Sequence, residues 1–492
     1  MNNGKICISV CASTVDDLRE KIESAAPLSD LIELRLDYLN SPSTAISQID
    51  IGPNMILTLR PREQGGNGDI DLRTRKEFWS SLNAECGADL EEDVIGSVIS
   101  GFAPKICSFH DFNYSEGSLY ETYSRLASTD ADVLKIAVST NDAIDALDIW
   151  KLLERAESDD RQLTPIAMGE SGEWTRILGL AHGAYSTYAA LDTGGETAPG
   201  QITARDMIDV FRVKELDKST EVYGIIAGDT TYTMSPYIHN AAFKASGSNA
   251  VFVPLQVKDL DTFMRRMVLP ETREIDLNFR GFSVTNPHKE AIIKYLDVDD
   301  AAAQIGAANT VKIEDGKLLG FNTDAQGFIA PLVDTFGDLK GSRTAVIGAG
   351  GAARACVYTI KSAGADVTIF ARNSEKATAL AEEFEANSKP LTTDFSDFDI
   401  VVNATPLGTR GNGENETIAT AEQLRDVKLV YDLIYNPNET RLLREAKLAG
   451  AQTLGGFEML MAQAAEQFKI WTGQLAPIEE MTAAARQKLN ES

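Results

Sequence analysis

Short apolar runs alternate with amphipathic helical patterns along the first 216 residues of the chain. Eight of these runs have strand character, with the fourth the poorest: Lys5 to Val10, Leu31 to Asp37, Met55 to Leu59, Ala88 to Glu92, Lys105 to Phe109, Asp132 to Val138, Pro165 to Met168 and Ser186 to Ala190. Eight strands in such alternation predict a (β/α)8 TIM barrel, an α/β fold whose active site gathers at the C-terminal strand ends.

Charged residues interrupt the second of these runs at every other position. The two-residue period of a strand sends Glu33, Arg35 and Asp37 to one face and the leucines between them to the other. An edge strand with a solvated charged face is the alternative, but a closed parallel barrel has no edge. The pattern therefore predicts that the three charged side chains point into the barrel.

A lysine and a histidine are the candidate reacting groups of this half. Lys135 lies inside an apolar strand and is predicted to point inward, where the cost of burying a charged amine favours a neutral nucleophile and Schiff-base chemistry. His110 directly follows the predicted strand Lys105 to Phe109, a position suited to an acid or base at the barrel mouth. A lone histidine is more often structural, but its place beside an interior lysine favours catalysis.

A second alternation of strands and helices begins after a charged linker at Lys214 to Glu221. Within it, Phe282 to Val284 has strand character and Pro287 stops it, which places Lys289 at the mouth of a following helix. Asp324 follows another strand and supplies the carboxylate partner that a proton-transferring lysine needs.

Two further motifs of the second half suit anionic ligands. Thr233 and Ser235 precede Pro236 where a loop enters a helix; binding of a carboxylate and simple helix capping are equally good interpretations. Gly348, Gly350 and Ala353 form the G-x-G-x-x-A dinucleotide fingerprint between a strand and a helix. The next strand ends at Arg372 instead of the acid that binds free ribose hydroxyls, which favours NADP.

Composition narrows the class of protein. A chain of 492 residues needs two or three cores, and 73 acidic against 46 basic residues give a formal charge of −27, which argues against nucleic-acid and anionic-membrane partners. No apolar run approaches the roughly 20 residues of a membrane span, and the first strand begins almost at once, so we expect a cytoplasmic protein. The five cysteines lack metal-ligand spacing, and no chemistry is assigned to them.

The first half resembles type I 3-dehydroquinate dehydratase in Glu33-Leu-Arg35, Arg60 before Gly65-Gly66, Ser108 to Asp111, Lys135-Ile-Ala, Met168-Gly169 and Ala198 to Gln201. The resemblance implies that Lys135 forms a Schiff base with the substrate ketone and that His110 moves protons. Substrate binding is implied for Glu33, Arg35, Arg60, Arg176, Thr197 and Gln201, with Arg176 as the carboxylate clamp. Two residues depart from the family: Gln64 replaces a glutamate that helps the histidine, and Thr197 replaces a serine.

The second half resembles shikimate dehydrogenase in the motifs around Lys289, Asn309, Asp324, the glycine fingerprint, Asn403 to Pro406, Asp432 to Pro437 and Gly455 to Gln463. The resemblance implies ketone reduction by NADPH, with Lys289 and Asp324 as the proton-relaying pair. It implies that Thr233, Ser235, Thr285, Asn309, Tyr435 and Gln463 bind substrate. It implies that Gly348, Ala349, Gly350, Gly351, Ala352, Arg372, Asn403, Thr405 and Gly456 bind coenzyme.

Together the resemblances imply dehydration of 3-dehydroquinate followed by reduction of 3-dehydroshikimate to shikimate, without a metal because the imine supplies the electron sink. The predicted domains are a barrel at 1–216, an α/β substrate domain at 217–325 completed by helix 470–492, and a Rossmann NADP domain at 326–469. The alternatives are a catabolic quinate or shikimate dehydrogenase, which coenzyme preference distinguishes, and a regulatory pseudoenzyme, which is expected to have lost the reacting groups that are present here.

Overall fold

The structure, a computed structural model, describes residues 2–82, 84–98, 101–114, 119–391, 394–411 and 413–491. The chain divides into two compact units. The first comprises Met1–Pro236 and Asn249–Phe279, and the second comprises Tyr237–Ser248 and Arg280–Ser492. In the described residues no helix combines the length and the apolar character that a membrane span requires.

All eight predicted strands of the first half are present and form one parallel sheet in the order β7-β6-β5-β4-β3-β2-β1-β8. They are β1 Lys5–Cys11, β2 Leu31–Arg35, β3 Met55–Thr58, β4 Gly87–Glu91, β5 Lys105–Asp111, β6 Val133–Ser139, β7 Gln162–Met168 and β8 Ser186–Ala189. Hydroxyls of Thr164 on β7 and Ser186 on β8 lie 2.9 Å apart, and the Tyr185 N–H donates to the Leu163 carbonyl at 2.8 Å. These contacts bring β7 and β8, the two end strands of the sheet, together as a nearly closed barrel.

Helices follow the strands around the barrel. They are α1 Val15–Ala25, α2 Pro42–Ile46, α3 Leu72–Ser81, α4 Glu92–Ile95, α5 Leu119–Ala127, α6 Leu147–Ser158, α7 Glu173–Leu178 and α8 Ala204–Asp209. Trp150 of α6 packs on Trp174 of α7 with ring centroids 4.8 Å apart. Inside the barrel, apolar side chains that include Leu31, Ile56 and Ile106 form a buried cluster below the polar residues.

The predicted second strand was too long by two residues. It ends at Arg35, and Asp37 lies in a single 3-10 turn, Leu36–Tyr38, which directly follows the strand. Glu33 and Arg35 are buried inward as predicted, whereas Asp37 is placed by the turn and accepts two hydrogen bonds from Arg35 at 2.8 and 2.9 Å. Local alternation identified the polar face but could not locate the end of the strand.

The first unit also contains a parallel pair of strands, β9 Glu221–Ala227 and β10 Ala250–Gln256, and a short helix. Helix α9, Ser235–Ser246, begins in the first unit and continues in the second, and α10, Leu260–Phe263, follows β10. The Asp142 carboxylate, in the loop after β6, accepts the Lys258 N–H at 2.7 Å. This bond ties the β10–α10 connection to the loop that follows the lysine-bearing strand.

The second unit contains a small mixed sheet and a parallel six-stranded sheet. In the small sheet, β11 Phe279–Val284, β13 Thr310–Glu314 and β14 Lys317–Phe321 are antiparallel, and β12 Asp297–Val298 is parallel to β14. Helices α11 Asp300–Ile305 and α12 Thr323–Phe336 accompany it. The predicted helix directly after Lys289 is a 3-10 helix that begins only at Ala291.

The parallel sheet has the strand order β17-β16-β15-β18-β19-β20, which is the 3-2-1-4-5-6 order of dinucleotide-binding folds. Its strands are β15 Arg343–Ile347, β16 Asp366–Phe370, β17 Asn387–Lys389, β18 Ile400–Asn403, β19 Leu429–Asp432 and β20 Gln452–Leu454. The accompanying helices are α13 Gly351–Ser362, α14 Ser374–Glu383, α15 Arg441–Leu448, α16 Gly456–Thr472 and α17 Ile478–Glu491. The Rossmann prediction is confirmed.

Candidate active sites

One cavity in the first unit, with about 440 Å³ of open space, collects the polar residues of the barrel. All eight residues predicted for this half line it: Glu33, Arg35, Arg60, His110, Lys135, Arg176, Thr197 and Gln201. Four of them belong to strands β2, β5 and β6, and the others lie in the loop after β3, in α7 after β7 and in the loop after β8. Residues as far apart in the sequence as Glu33 and Gln201 therefore line one cavity, which is how a barrel assembles an active site.

Lys135 is buried, and its amine lies beside two carboxylates and a tyrosine ring. Its Nζ lies 2.9 Å from Asp89 Oδ2 and 3.3 Å from Glu33 Oε1, and 3.8 Å from the centroid of the Tyr188 ring. Glu33 is itself held by the Thr58 hydroxyl at 2.9 Å. The two carboxylates balance the charge of the ammonium group, and Glu33 can accept the proton that the amine must lose to act as a nucleophile.

A chain of buried ion pairs continues from this lysine to the outer face of the barrel. Asp89 Oδ1 lies 2.8 Å from Arg60, Arg60 lies 2.7 Å from Glu91 Oε1, and Arg75 of α3 lies 2.7 Å from Glu91 Oε2. Burial opposes ionisation of Asp89, but Arg60 and Lys135 outweigh it and hold the pKa of Asp89 well below its usual range. Burial raises the pKa of Glu91. The sequence analysis missed Asp89, Glu91 and Arg75.

His110 lies at the end of β5 and faces the same cavity. Burial, together with the charges of Arg60 and Lys135, holds the pKa of His110 well below its usual range, so the imidazole is neutral and can act as a base. Gln64 accepts the backbone N–H of His110 at 3.1 Å. In the part of the chain that the structure describes, Nδ1 of the ring has no hydrogen-bond partner, so Gln64 holds the histidine backbone and not its ring.

Arg176 is a buried cation with no carboxylate at ion-pair distance among the described residues. Its guanidinium donates only to the carbonyls of Tyr188 at 3.4 Å and Pro199 at 3.2 Å. Burial, partly offset by Glu173, lowers the pKa of Arg176 to about 10. A buried guanidinium that lacks an anion is a strong site for a ligand carboxylate. Pro199 belongs to the loop of Thr197 and Gln201, so the arginine also holds that loop.

The predicted proton-relaying pair of the second half is formed. Lys289 Nζ lies 2.5 Å from Asp324 Oδ2, and Asn309 Nδ2 donates to Asp324 Oδ1 at 2.8 Å. Asn309 is in turn fixed by the Thr323 N–H, which donates to its Oδ1 at 2.8 Å. Because α12 begins at Thr323, Asp324 lies in the first helical turn, where N–H groups favour a negative charge. The amine, carboxylate and amide form one polar group in the second unit.

The other predicted substrate residues occupy loops and helix starts. Thr285 follows β11, Tyr435 follows β19, and Gln463 lies on α16, where its amide donates to the Leu460 carbonyl at 3.0 Å. Burial raises the pKa of Tyr435 to about 12, so its hydroxyl stays protonated. Thr233 and Ser235 belong to the first unit, where the Ser235 N–H donates to the Thr233 hydroxyl at 3.3 Å at the start of α9.

The glycine fingerprint lies between β15 and α13, as predicted. Gly348 has a φ of +127°, and a Cβ added to it would lie 2.9 Å from the Ala404 carbonyl oxygen. Gly350 precedes α13 without a side-chain cap, which leaves the first N–H groups of the helix for an anion. A Cβ on Gly351 would lie 3.1 Å from the Lys289 side chain. The fingerprint is therefore adjacent to Lys289.

The remaining predicted coenzyme residues surround the same sheet edge. Arg372 follows β16, is exposed and has no ion-pair partner in the described ranges. The position after this strand is thus held by an arginine and not by an acid. Asn403 ends β18 and accepts the Thr405 N–H at 3.1 Å. The backbone of Gly456 is so close to that of Leu433 that a Cβ would lie 2.1 Å from its carbonyl oxygen. The glycine thus permits α16 to start against the β19 loop.

Comparison with known families divides the chain into the same two halves. Residues 6–218 match type I 3-dehydroquinase. Residues 225–311 match the shikimate dehydrogenase substrate binding domain, residues 332–435 match shikimate / quinate 5-dehydrogenase, and residues 456–486 match the shikimate 5′-dehydrogenase C-terminal domain. The families predicted from the motifs of the two halves are therefore both found.

Individual relatives agree with this division. The bifunctional 3-dehydroquinate dehydratase/shikimate dehydrogenase, chloroplastic, of Arabidopsis thaliana is 35% identical over 97% of this chain and 83% of its own length. The shikimate dehydrogenase (NADP(+)) of Methanocaldococcus jannaschii is 42% identical and covers 56% of this chain and 100% of its own length. A crystal structure of a shikimate dehydrogenase in complex with NADP+ covers 56% of this chain and 97% of its own, with 41% identity and a TM-score of 0.52.

Proposed function

Because the chain belongs to the family of bifunctional 3-dehydroquinate dehydratases/shikimate dehydrogenases, we propose that it performs both reactions with the residues described above. The barrel dehydrates 3-dehydroquinate to 3-dehydroshikimate, and the second half reduces that product to shikimate with NADPH. The observation that carries the proposal is that two separate sets of reacting groups are each complete: Lys135 with His110, and Lys289 with Asp324.

Dehydration follows from the positions of the barrel residues. Arg176, which has no carboxylate partner among the described residues, binds the substrate carboxylate, and Lys135 attacks the ketone after passing its proton to Glu33. The ketone oxygen leaves as water when the iminium forms. The iminium that forms withdraws electrons from the adjacent carbon, whose proton the neutral His110 removes. The protonated histidine then protonates the departing hydroxyl, and hydrolysis of the imine releases product and free lysine. Arg35, Arg60, Thr197 and Gln201 hold the ring.

Reduction of the second ketone needs one proton and one hydride. NADPH supplies the hydride when bound. Lys289 donates a proton to the carbonyl oxygen as the alcohol forms, and Asp324, 2.5 Å away, pairs with the amine and holds it in place. Asn309 fixes the carboxylate so that its second oxygen stays directed to the lysine. Thr233 and Ser235 are proposed to bind the carboxylate, and Thr285, Tyr435 and Gln463 the hydroxyls.

The residues at the coenzyme edge fit NADP. The uncapped start of α13 offers N–H groups to the pyrophosphate, and Arg372 is exposed and has no ion-pair partner among the described residues. We propose that Gly348 to Ala352 hold the pyrophosphate and that Arg372 binds the 2′-phosphate. Asn403, Thr405 and Gly456 are proposed to line the part of the site that binds the nicotinamide. The proposed domains are 1–216, 217–325 with 470–492, and 326–469.

Borohydride trapping tests the covalent step. Reduction in the presence of 3-dehydroquinate is expected to fix the ligand mass on the peptide that contains Lys135, because only an imine becomes a stable secondary amine. The adduct is mapped by peptide mass spectrometry. Lys105 begins β5, is paired with Asp130 and should stay unmodified, which makes it an internal control. Inactivation with no adduct, or with the adduct on another lysine, would refute the role of Lys135.

Arg372→Ala tests coenzyme choice. Loss of charge-assisted hydrogen bonds worth roughly 1.5 to 3 kcal/mol is expected to raise the KM for NADPH by about 10- to 100-fold and to leave that for NADH nearly unchanged. Steady-state reduction of 3-dehydroshikimate with each coenzyme measures both values. Lys447→Ala removes an exposed cation of α15 and is the matched control. An equal loss for both coenzymes would show that the arginine is structural.

The proposal contains no metal, no nucleic acid and no membrane partner. The electron sink that a metal could supply is provided by the iminium, and the substrates are small carboxylates. We propose a cytoplasmic location, which suits five cysteines that are all free. The Arabidopsis relative is named as chloroplastic, so subcellular fractionation distinguishes the two compartments.

A further inference from the structure

Asp432 is a fully buried carboxylate at the end of β19 that the two reactions described above do not use. Its Oδ1 accepts the Asn403 side-chain N–H at 3.0 Å and the Ile434 N–H at 3.2 Å, and its Oδ2 accepts the Thr440 hydroxyl at 2.6 Å. All three donors are neutral, and no cation balances the charge within the described residues. Burial raises the pKa of Asp432 to about 6.

Such an arrangement is costly, because a buried carboxylate without a cation loses its hydration and gains no ion pair. A carboxylate nevertheless has one property that no amide has: it presents only acceptors, so three donors from three chain segments can converge on it. Those segments are the end of β18, the loop after β19 and the start of α15, where Thr440 also caps the helix by accepting the Leu443 N–H. Asp432 is therefore the point at which they are joined.

The contact with Asn403 has a consequence for the coenzyme edge. Because Asp432 accepts from Asn403 Nδ2, the amide must direct its Oδ1 the other way, where it accepts the Thr405 N–H at 3.1 Å and the Thr405 hydroxyl at 2.7 Å. Asn403 thereby fixes the turn that follows β18. In that turn the Ala404 carbonyl lies so close to Gly348 that a Cβ there would be 2.9 Å from it. The carboxylate thus acts on the glycine fingerprint through two intermediate contacts.

We propose that Asp432 is a positioning residue for coenzyme binding, which acts by fixing the orientation of the Asn403 amide; this inference rests on the proposed NADPH-dependent reduction. Asp432 does not touch substrate or coenzyme. Its role is to keep the turn after β18 in the conformation that supports Gly348.

A double-mutant cycle separates this role from general support of the fold. Asp432→Ala and Asn403→Ala are each expected to raise the KM for NADPH by roughly 10- to 100-fold, the range of a lost hydrogen bond to a charged group, with kcat within about threefold. In the double variant the KM should exceed that of the worse single variant by no more than about threefold, because the two residues act in series. Multiplied effects, or an unchanged KM in Asp432→Ala, would overturn the inference.

Two substitutions provide controls if the alanine variant at Asp432 fails to fold. Asp432→Asn keeps one oxygen for Asn403 and can turn its NH2 toward the Thr440 hydroxyl, so a KM within about threefold of the native value is expected. Thr440→Val removes the donor at the other oxygen and leaves the Asn403 contact, with the same expectation. A rise of tenfold or more in either variant, at an unchanged unfolding midpoint, contradicts the proposed path through Asn403.

The native protein distinguishes failure of the inference from failure of the proposed function. If native protein does not reduce 3-dehydroshikimate with NADPH, the proposed function fails before any variant is compared. If it does, and the two substitutions act independently, only the role of Asp432 fails. Dehydratase activity of each variant, measured in the same preparation, shows that the barrel is intact.

Discussion

Lys135→Met is expected to lower the rate of 3-dehydroquinate dehydration by roughly 10⁴- to 10⁶-fold, the typical rate loss when a covalent nucleophile is removed. Methionine keeps most of the side-chain volume, but it cannot form the imine on which proton removal by His110 depends. Reduction of supplied 3-dehydroshikimate by NADPH should stay within about twofold of the native rate, because Lys289 and Asp324 are unchanged. Both rates are measured on one preparation.

The substitution also leaves Glu33 and Asp89 without the ammonium that lies 3.3 and 2.9 Å from them. Removing one partner of a buried ion pair lowers the free energy of unfolding by about 3 to 5 kcal/mol, so the unfolding midpoint must be determined. Lys135→Arg is the matched control: it keeps the positive charge between the carboxylates and still lacks the amine. Dehydration by either variant at more than a tenth of the native rate would mean that another group forms the intermediate.

Lys289→Met is expected to show the inverse pattern. Reduction of 3-dehydroshikimate should fall by about 10² to 10⁴, the usual effect of removing a general acid, while dehydration continues and 3-dehydroshikimate accumulates. The lysine is adjacent to Gly351, so a change in coenzyme affinity is separated from the loss of the proton donor by measuring kcat and the KM for NADPH independently. The predicted loss is in kcat.

Two further variants test whether the loss of reduction is specific to Lys289 and its pairing with Asp324. Lys294→Met removes an exposed cation of the neighbouring 3-10 helix and should leave reduction unchanged. Asp324→Asn removes the carboxylate that pairs with Lys289, and in combination with Lys289→Met it should add little further loss, because the two residues act as one unit. Additive losses would show that they act separately.

The barrel was predictable because each of its strands carries a local signature. The alternation in Leu31 to Asp37 identified the inward face, and Lys135 and His110 were recognised by position relative to strand ends. The end of β2 could not be predicted, since the 3-10 turn of Asp37 is stabilised by contacts with Arg35 and with the Asn67 N–H, 30 residues away. Non-local hydrogen bonds decide such boundaries.

The chain of ion pairs beside Lys135 was missed for a related reason. Asp89 and Glu91 lie in the poorest of the eight predicted strands, where two acids within five residues weaken the strand pattern. Arg75 has the sequence context of a surface helix. Each residue is interpretable only when the sheet forms with β4 between β3 and β5, so that Arg60 meets both carboxylates. The sequence shows which residues could pair with a buried charge, but it does not show which of them lies beside that charge in the folded protein.

In the second half, the pairing of Lys289 with Asp324 was correctly predicted from two strand ends. Asp432 was noticed only as part of a motif, because nothing in Asp432-Leu-Ile-Tyr435 indicates that its carboxylate joins three segments. Convergence of donors on one acceptor is a property of the folded sheet edge.

A mixture of the two lysine variants tests the central claim, that one chain contains two complete and independent active sites. Lys135→Met and Lys289→Met are combined with 3-dehydroquinate and NADPH, and shikimate formation is followed together with the nicotinamide absorbance. The account predicts that neither variant alone converts 3-dehydroquinate to shikimate and that the mixture does, because 3-dehydroshikimate released by one is reduced by the other. Failure of the mixture, with each variant folded and active in its remaining step, would contradict it.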